Sequence, residues 1–212
     1  MKKSLILIFV YTMLFSANSY AGLIINQLYN TGLDSNGSVL TDLNGSEDAF
    51  WTVRLANTNN TNDSAAITFK HKAYSNAIGN SKWISIDSTG GNSTTTIATD
   101  YIFTTTFDLS GYNASTAMIT GLWGVDNYGS IWLNGNETGN ALTFGYPAFR
   151  DMHELTISDF FIEGINTLTV QLTNGHTNPN QEPGPMALRL DNLQLSATHV
   201  PEPTTIGIFA VF

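Results

Sequence analysis

Trp123-Gly-Val-Asp-Asn-Tyr-Gly-Ser-Ile-Trp-Leu-Asn-Gly-Asn-Glu-Thr-Gly139 is the stretch whose reading decides the fold. It reads as a strand, a turn at Asp126-Asn127-Tyr128-Gly129, a second strand from Ser130 to Leu133, and a further turn at Asn134-Gly135. Asn-Gly is a strong hairpin signal, because a two-residue turn that matches the twist of its strands needs positive φ at both central residues. The expectation is a double hairpin, with the other strands of the chain as its support.

Upstream, Tyr101, Phe103, Thr105, Phe107 and Leu109 alternate with Thr104 and Thr106, the period of a half-buried strand. Trp51, Val53 and Leu55 alternate in the same way with Thr52 and Arg54. Shorter strands are expected at Leu23–Ile25, Ile67–Lys70 and Ser81–Ile86. Downstream, Leu168, Val170 and Leu172 share one face, and Met186, Leu188 and Leu190 form a last strand. Asp191-Asn192 reads as a bulge, since the apolar register resumes at Leu193 and Leu195. Thr173 to Pro185, rich in Asn, Gly and Pro, is a loop. About ten strands at this spacing predict an all-β, antiparallel sandwich.

The chain has 212 residues, enough for one β-domain with a sizeable core. Of its 8 Lys and Arg, Lys2 and Lys3 lie in the leader, which leaves 6 against 17 acids in the rest of the chain. Such a body repels nucleic acid phosphates and anionic lipid heads, so neither is an expected partner. With no cysteine there is no disulfide framework, thiolate zinc site or thiol nucleophile.

Residues 1–21 have the three parts of a secretory signal. Lys2 and Lys3 open it, Leu5 to Phe15 is apolar, and Ser19-Tyr20-Ala21 supplies small residues for cleavage after Ala21. The apolar run is far shorter than the ~20 residues a spanning helix needs. The expected division is a signal peptide at 1–21, one sandwich domain at 22–197 and a tail at 198–212.

Asp34-Ser-Asn36-Gly37 and Asp42-Leu-Asn44-Gly45 place side-chain oxygens two apart before a glycine, as calcium loops often begin. Neither continues as an EF-hand, since Gly45 and Val53 stand where the distal acid belongs. Ordinary Asx turns are the competing reading. No cofactor is expected to be required, and a structural calcium at Asp34, Asn36 and Asp42 is the one metal the pattern admits.

Catalytic constellations are weak. His71, His153, His176 and His199 lie outside any nucleophile motif, and no two have metal-ligand spacing. The carboxylate pairs Asp151/Glu154 and Asp159/Glu163 read as surface charge, and the chain is expected to be non-catalytic. Sugar binding needs less: an aromatic face for the ring and polar groups for its hydroxyls. The candidates are Trp123, Asp126, Asn127, Tyr128, Trp132 and Arg189, with Trp83, Tyr146, Arg150, His176 and Asn178 beyond them. The competing reading puts the tryptophans in the core and makes Asp126-Asn127 turn formers first.

Val200-Pro201-Glu202-Pro203, followed by the apolar Ile206 to Phe212, resembles the PEP-CTERM sorting signal. The basic cluster that ends such signals is absent, as in a truncated or defective one. The resemblance implies an exosortase-type partner that cuts near Val200 to Pro203, and contact with the membrane only through a transient tail. It also implies delivery to the cell surface or matrix of a Gram-negative bacterium that makes exopolysaccharide.

The body carries a second resemblance. Thr105-Thr-Phe107-Asp-Leu109-Ser-Gly111, Ala117 to Asn127, Trp132-Leu-Asn134-Gly135 and Gly164-Ile-Asn166-Thr-Leu168 together look like the galactose-binding-domain-like jelly roll over Phe50 to Ala197. That fold carries many carbohydrate-binding modules, so the resemblance implies association with extracellular polysaccharide. The alternatives are a structural or adhesion protein with protein partners, and a glycoside hydrolase.

Overall fold

The computed structural model describes residues 22–41, 44–56, 62–75, 79–91, 99–143, 148–175 and 184–201. In chain order they form β1 (Leu23–Ile25), β2 (Glu47–Leu55), β3 (Ser64–Thr68), β4 (Ile84–Ser85), β5 (Thr99–Asp108) and β6 (Tyr112–Asp126). Then come β7 (Tyr128–Leu133), β8 (Asn136–Leu142), β9 (His153–Ile157), β10 (Ile165–Asn174) and β11 (Ala187–His199), with no helix among the described residues.

Every pairing is antiparallel. The hydrogen-bonded path runs β8-β7-β10-β5-β2-β3-β4-β11-β6-β9, with β1 added beside β11. It turns through the short β3 and β4, so that β8-β7-β10-β5-β2 packs as one layer against β11-β6-β9. Phe103, Ile131, Leu133, Leu168, Val170 and Leu172 from the first layer meet Ile119, Trp123, Val125, Leu155, Leu188 and Leu190 from the second. The two ends of the path also meet. The Asn140 side chain on β8 donates to the Thr156 carbonyl on β9 at 2.8 Å and accepts from its N–H at 3.4 Å. The result is the expected antiparallel jelly-roll sandwich, nearly closed into a barrel.

Alternation sets the faces as expected: Tyr101, Phe103, Thr105 and Phe107 are buried on β5, and Trp51 and Val53 on β2. The Asn134-Gly135 hairpin joins β7 to β8 with φ of 51° and 79°, the left-handed pair such a turn requires. Asn134 does more than turn the chain. Its amide donates to the Phe160 carbonyl and to Asn166 Oδ1, both at 2.8 Å, and accepts from the Thr167 N–H. Asn166, fully buried, bonds in turn to the backbone of Ile162 and Gly164. The Asn-Gly and Gly-Ile-Asn signals, distant in sequence, thus form one satisfied network.

Three details refine the sequence reading. First, the expected turn at Asp126–Gly129 is not a hairpin. β6 pairs with β11 and β9, whereas β7 pairs with β10 and β8, so Asn127 carries the chain from one layer to the other. Residues 123, 125, 131 and 133 are buried against the core, while Tyr128, Ser130 and Trp132 face outward, so the alternation survives the crossing. Second, the strand expected at Ser81–Ile86 shrinks to Ile84–Ser85, because Ser81 to Trp83 run across the outer side of β11. Third, the bulge at Asp191-Asn192 is present. Between Asp191 and Gln194, β11 holds one residue more than β6, and Asn192 has a φ of 52°.

Candidate functional site

The outer side of β11 and β6 is covered. Phe69, Tyr74 and Trp83 pack over Ala187, with Phe149 and Met152 against them, and the Tyr74 and Trp83 ring centroids lie 4.8 Å apart. Beneath this cover Arg189 is 4% exposed. Its guanidinium meets the equally buried Asp191 carboxylate at 3.0 Å and donates to Ser81 Oγ at 2.7 Å. Asp191 also accepts from the N–H groups of Asn80 and Asn192. Burial pulls the Arg189 pKa down and Asp191 pushes it back up. Gly79 lies so close to this pair that a Cβ there would collide with the Asp191 carboxylate.

Two of the expected sugar contacts are therefore corrected. Trp123 is 1% exposed and belongs to the core between the layers, so it offers no face to a sugar ring. Arg189 is committed to Asp191, Ser81 and the Ser75 carbonyl beneath the aromatic cover. Trp83 is buried in that cover, with its indole N–H on the Ser75 carbonyl.

Asp126 and Asn127 occupy the crossing between layers. Asp126 is 6% exposed, accepts from Asn127 Nδ2 at 2.8 Å and shares a hydrogen bond with the Tyr74 hydroxyl. That hydroxyl also lies 3.1 Å from the Pro185 carbonyl, a second acceptor within its reach. Burial pushes the Asp126 pKa up to about 7, opposed by the Tyr74 hydrogen bond, and raises that of Tyr74 as well. Asn127 accepts from the Gly175 N–H at 2.9 Å, which ties the crossing to the end of β10. Both residues act first as architecture.

Tyr128 and Trp132 are brought together on the outer side of the other layer. Both are partly exposed and stand on β7 with Ser130 between them, and the Trp132 indole N–H rests on Ser130 Oγ at 2.8 Å. Across the ladder, Tyr128 lies opposite Thr173, Ser130 opposite Gln171 and Trp132 opposite Thr169. On β5 the same rows continue through Asp100, Ile102 and Thr104, and on β2 through Arg54 and Thr52. An open cleft of about 410 Å³ lies over Tyr128, Ser130, Ala141, Leu142, Gln171 and Thr173. The sequence reading missed Gln171, Thr169 and Thr173. Their signal was present, since Thr167, Thr169, Gln171 and Thr173 alternate with the buried Leu168, Val170 and Leu172.

The other expected residues fall elsewhere. Asp34 accepts from the N–H groups of Asn36 and Ser38, both at 2.9 Å, as an Asx turn does, while Asn36 is exposed and Asp42 lies outside the described residues. No group of three or more His, Asp or Glu side chains able to hold a metal gathers among the described residues. Asp48, the next acid but one after Asp42, is buried and accepts from the N–H groups of Gly32, Phe50 and Trp51. Arg150 lies near the Phe149 ring, 5.8 Å from its centroid. Tyr146, His176 and Asn178 lie outside the described residues, as do Ala21, Glu202 and Pro203. Val200 and Pro201 are exposed where the chain leaves β11, and no described helix is long and apolar enough to cross a membrane.

No protein-family model matches the chain, and no curated protein is significantly similar to it. Among solved structures, it is similar to a β-glucuronidase of an uncultured Clostridium species at 14% identity, with a TM-score of 0.42, covering 89% of this chain and 31% of that one. It is similar to TmCBM61, solved in complex with β-1,4-galactotriose, at 13% identity and a TM-score of 0.34, covering 74% and 95% of the two chains. A β-glucosidase from Kluyveromyces marxianus is 12% identical at a TM-score of 0.36, with 77% of this chain matched to 19% of that one. The chain thus spans under a third of each of these two glycosidases. No residue role is carried over at this distance, and the fold rests on the strand pairing described above.

Proposed function

We propose that the protein is an exported, non-catalytic surface or matrix protein that associates with extracellular polysaccharide through the outer face of β7 and β10. One observation carries this reading: Tyr128 and Trp132 share a sheet face that no described segment covers, and an open cleft lies over Tyr128, Ser130, Gln171 and Thr173. Half-exposed aromatic rings suit the apolar side of a pyranose, and hydroxyl and amide groups suit its hydroxyls. The non-catalytic part is supported by Asp126. Its raised pKa would suit a general acid, yet Tyr74 and Asn127 occupy the carboxyl beneath the aromatic cover.

Export is supported by the leader, and β1 begins at Leu23, so cleavage after Ala21 leaves every described strand in place. Processing by an exosortase-type enzyme is supported by the Val200-to-Pro203 motif, whose first two residues are accessible. Mass spectrometry of the surface-associated product reads both ends, and a product that retains residues 1–21 overturns export by this signal. Association with polysaccharide is tested on a glycan array and on matrix polysaccharide isolated from exopolysaccharide-producing bacteria, each with and without calcium. Retention by at least one glycan is expected, and retention by none overturns the reading.

A second reading has its own observation. Phe160, Ile162 and Ile165 are 45%, 50% and 61% exposed near the Asn134 hairpin, an apolar group that favours a protein partner. Ile162→Glu leaves glycan retention intact if the β7 face is the site, and abolishes surface association if the protein-partner reading holds.

A further inference from the structure

The β7 face differs from a generic sugar platform in two independent respects, its aromatic spacing and its charge, and together they define the kind of glycan it takes. This inference rests on the polysaccharide reading given above.

Tyr128 and Trp132 are four residues apart on one side of an unbroken strand, paired with β10 throughout. At ~3.4 Å per residue, their Cα atoms lie roughly 14 Å apart along β7. That is longer than one pyranose ring. A single sugar can therefore stack on one of the two rings but not both, whereas a chain laid along β7 reaches both. Ser130, between the aromatics, and the opposing Thr169, Gln171 and Thr173 line the path with neutral donors and acceptors.

Charge supplies the second observation. Among the described residues of this face, Arg54 is the sole cation, and its guanidinium is held by Asp63 at 3.2 Å. Carboxylates flank the path instead: Glu137 lies opposite Trp132, and Asp100 opposite Thr173. The whole chain has a formal charge of −9. A uronate or sulfate on a bound chain would lie within a Debye length, ~8–10 Å at ordinary salt, of these groups, with no unpaired Lys or Arg among the described residues of the face to receive it.

We infer that the β7 face binds an uncharged polysaccharide as an extended chain running along β7 from Tyr128 to Trp132, and discriminates against acidic glycans. Affinity electrophoresis of the full chain tests this in gels containing β-glucan, galactan, mannan or xylan, against gels containing alginate or polygalacturonate. Free oligosaccharides of increasing length serve as competitors. Retardation is expected in at least one neutral gel and in neither acidic gel. The matching oligosaccharide should compete at least tenfold better than its monosaccharide. Trp132→Ala should lose at least tenfold in affinity, Trp132→Phe should recover part of it, and Gln171→Ala gives a second reading with less disturbance of the sheet. Retardation by alginate or polygalacturonate alone overturns the charge argument and leaves polysaccharide binding intact. Equal competition by the monosaccharide overturns the extended chain. No retardation in any gel overturns both this inference and the reading beneath it.

Discussion

Arg189 on β11 and Gln171 on β10 both point away from the core, one from each layer of the same sandwich. Arg189 is 4% exposed beneath Trp83 and Tyr74, and Gln171 lines an open cleft. The strands alternate alike, so the difference comes from the connections, because residues 69–75 and 79–83 lie over β11 whereas no described segment covers β10. Chemistry follows cover. Under the aromatics, polar groups survive only as a satisfied set, Arg189 with Asp191 and Ser81, or Asp126 with Tyr74 and Asn127. On the open side hydroxyls and amides stand beside carboxylates such as Asp100 and Glu137, where water or a ligand can satisfy them.

The most direct way to break the comparison is to remove one buried charge. Arg189→Ala leaves Asp191 unpaired under the cover and is expected to cost about 3–5 kcal/mol in urea unfolding. A cost below about 1 kcal/mol would mean that this face is not sealed. Replacing both partners, Arg189→Met with Asp191→Leu, should cost less than the single change, because no unpaired charge remains.

Next in size is the titration of Asp126. Its pKa is about 7 in the folded protein, against an ordinary 3.8. The folded state therefore keeps the proton that the unfolded chain releases first. The stability this contributes is fully present below about pH 4 and is lost as pH rises toward and through about 7, a difference of at most about 4 kcal/mol. Asp126→Asn imitates the protonated carboxyl. The difference between wild-type and mutant unfolding free energies should carry this slope, and a flat difference from pH 4 to 8 would remove Asp126 from the covered set.

Asn134→Ala probes the open layer through its hairpin. It loses the residue type that tolerates a φ of 51°, removes one of the two donors to the buried Asn166 Oδ1 and takes the side-chain acceptor from the Thr167 N–H. The expected cost is about 2–3 kcal/mol by thermal unfolding. Smallest in stability is Trp132→Ala, on the uncovered face, at about 0.5 kcal/mol. Its consequence belongs to binding. A loss comparable to Arg189→Ala would show that the two faces are not different after all.

Much of this was legible because it is local. Asn134-Gly135 carries its own turn chemistry, Asp191-Asn192 broke the apolar register of its strand, and β5 stated its faces by alternation. The site was legible only in part. Trp123 and Trp132 were grouped because they are close in sequence, yet nine positions separate them, an odd number, so continuous alternation puts them on opposite sides. That parity was in the sequence, hidden by the expected turn at Asp126–Gly129. Arg189 was different. Between Leu188 and Leu190 it had to point outward, and nothing in β11 says that Phe69, Tyr74 and Trp83 come back to bury it. Gln171 carried no aromatic or charge to draw notice, and it stands out only once β10 lies beside β7.

Asn140, on the other hand, settles a matter of company. With its amide standing in for a peptide unit, it occupies the carbonyl and N–H of Thr156, which would otherwise lie on the outer margin of β9. Unpaired strand margins are templates on which neighbouring copies add end to end and grow into fibres. One side chain placed across the seam turns two sticky borders toward each other and leaves less open margin for a second copy to pair with.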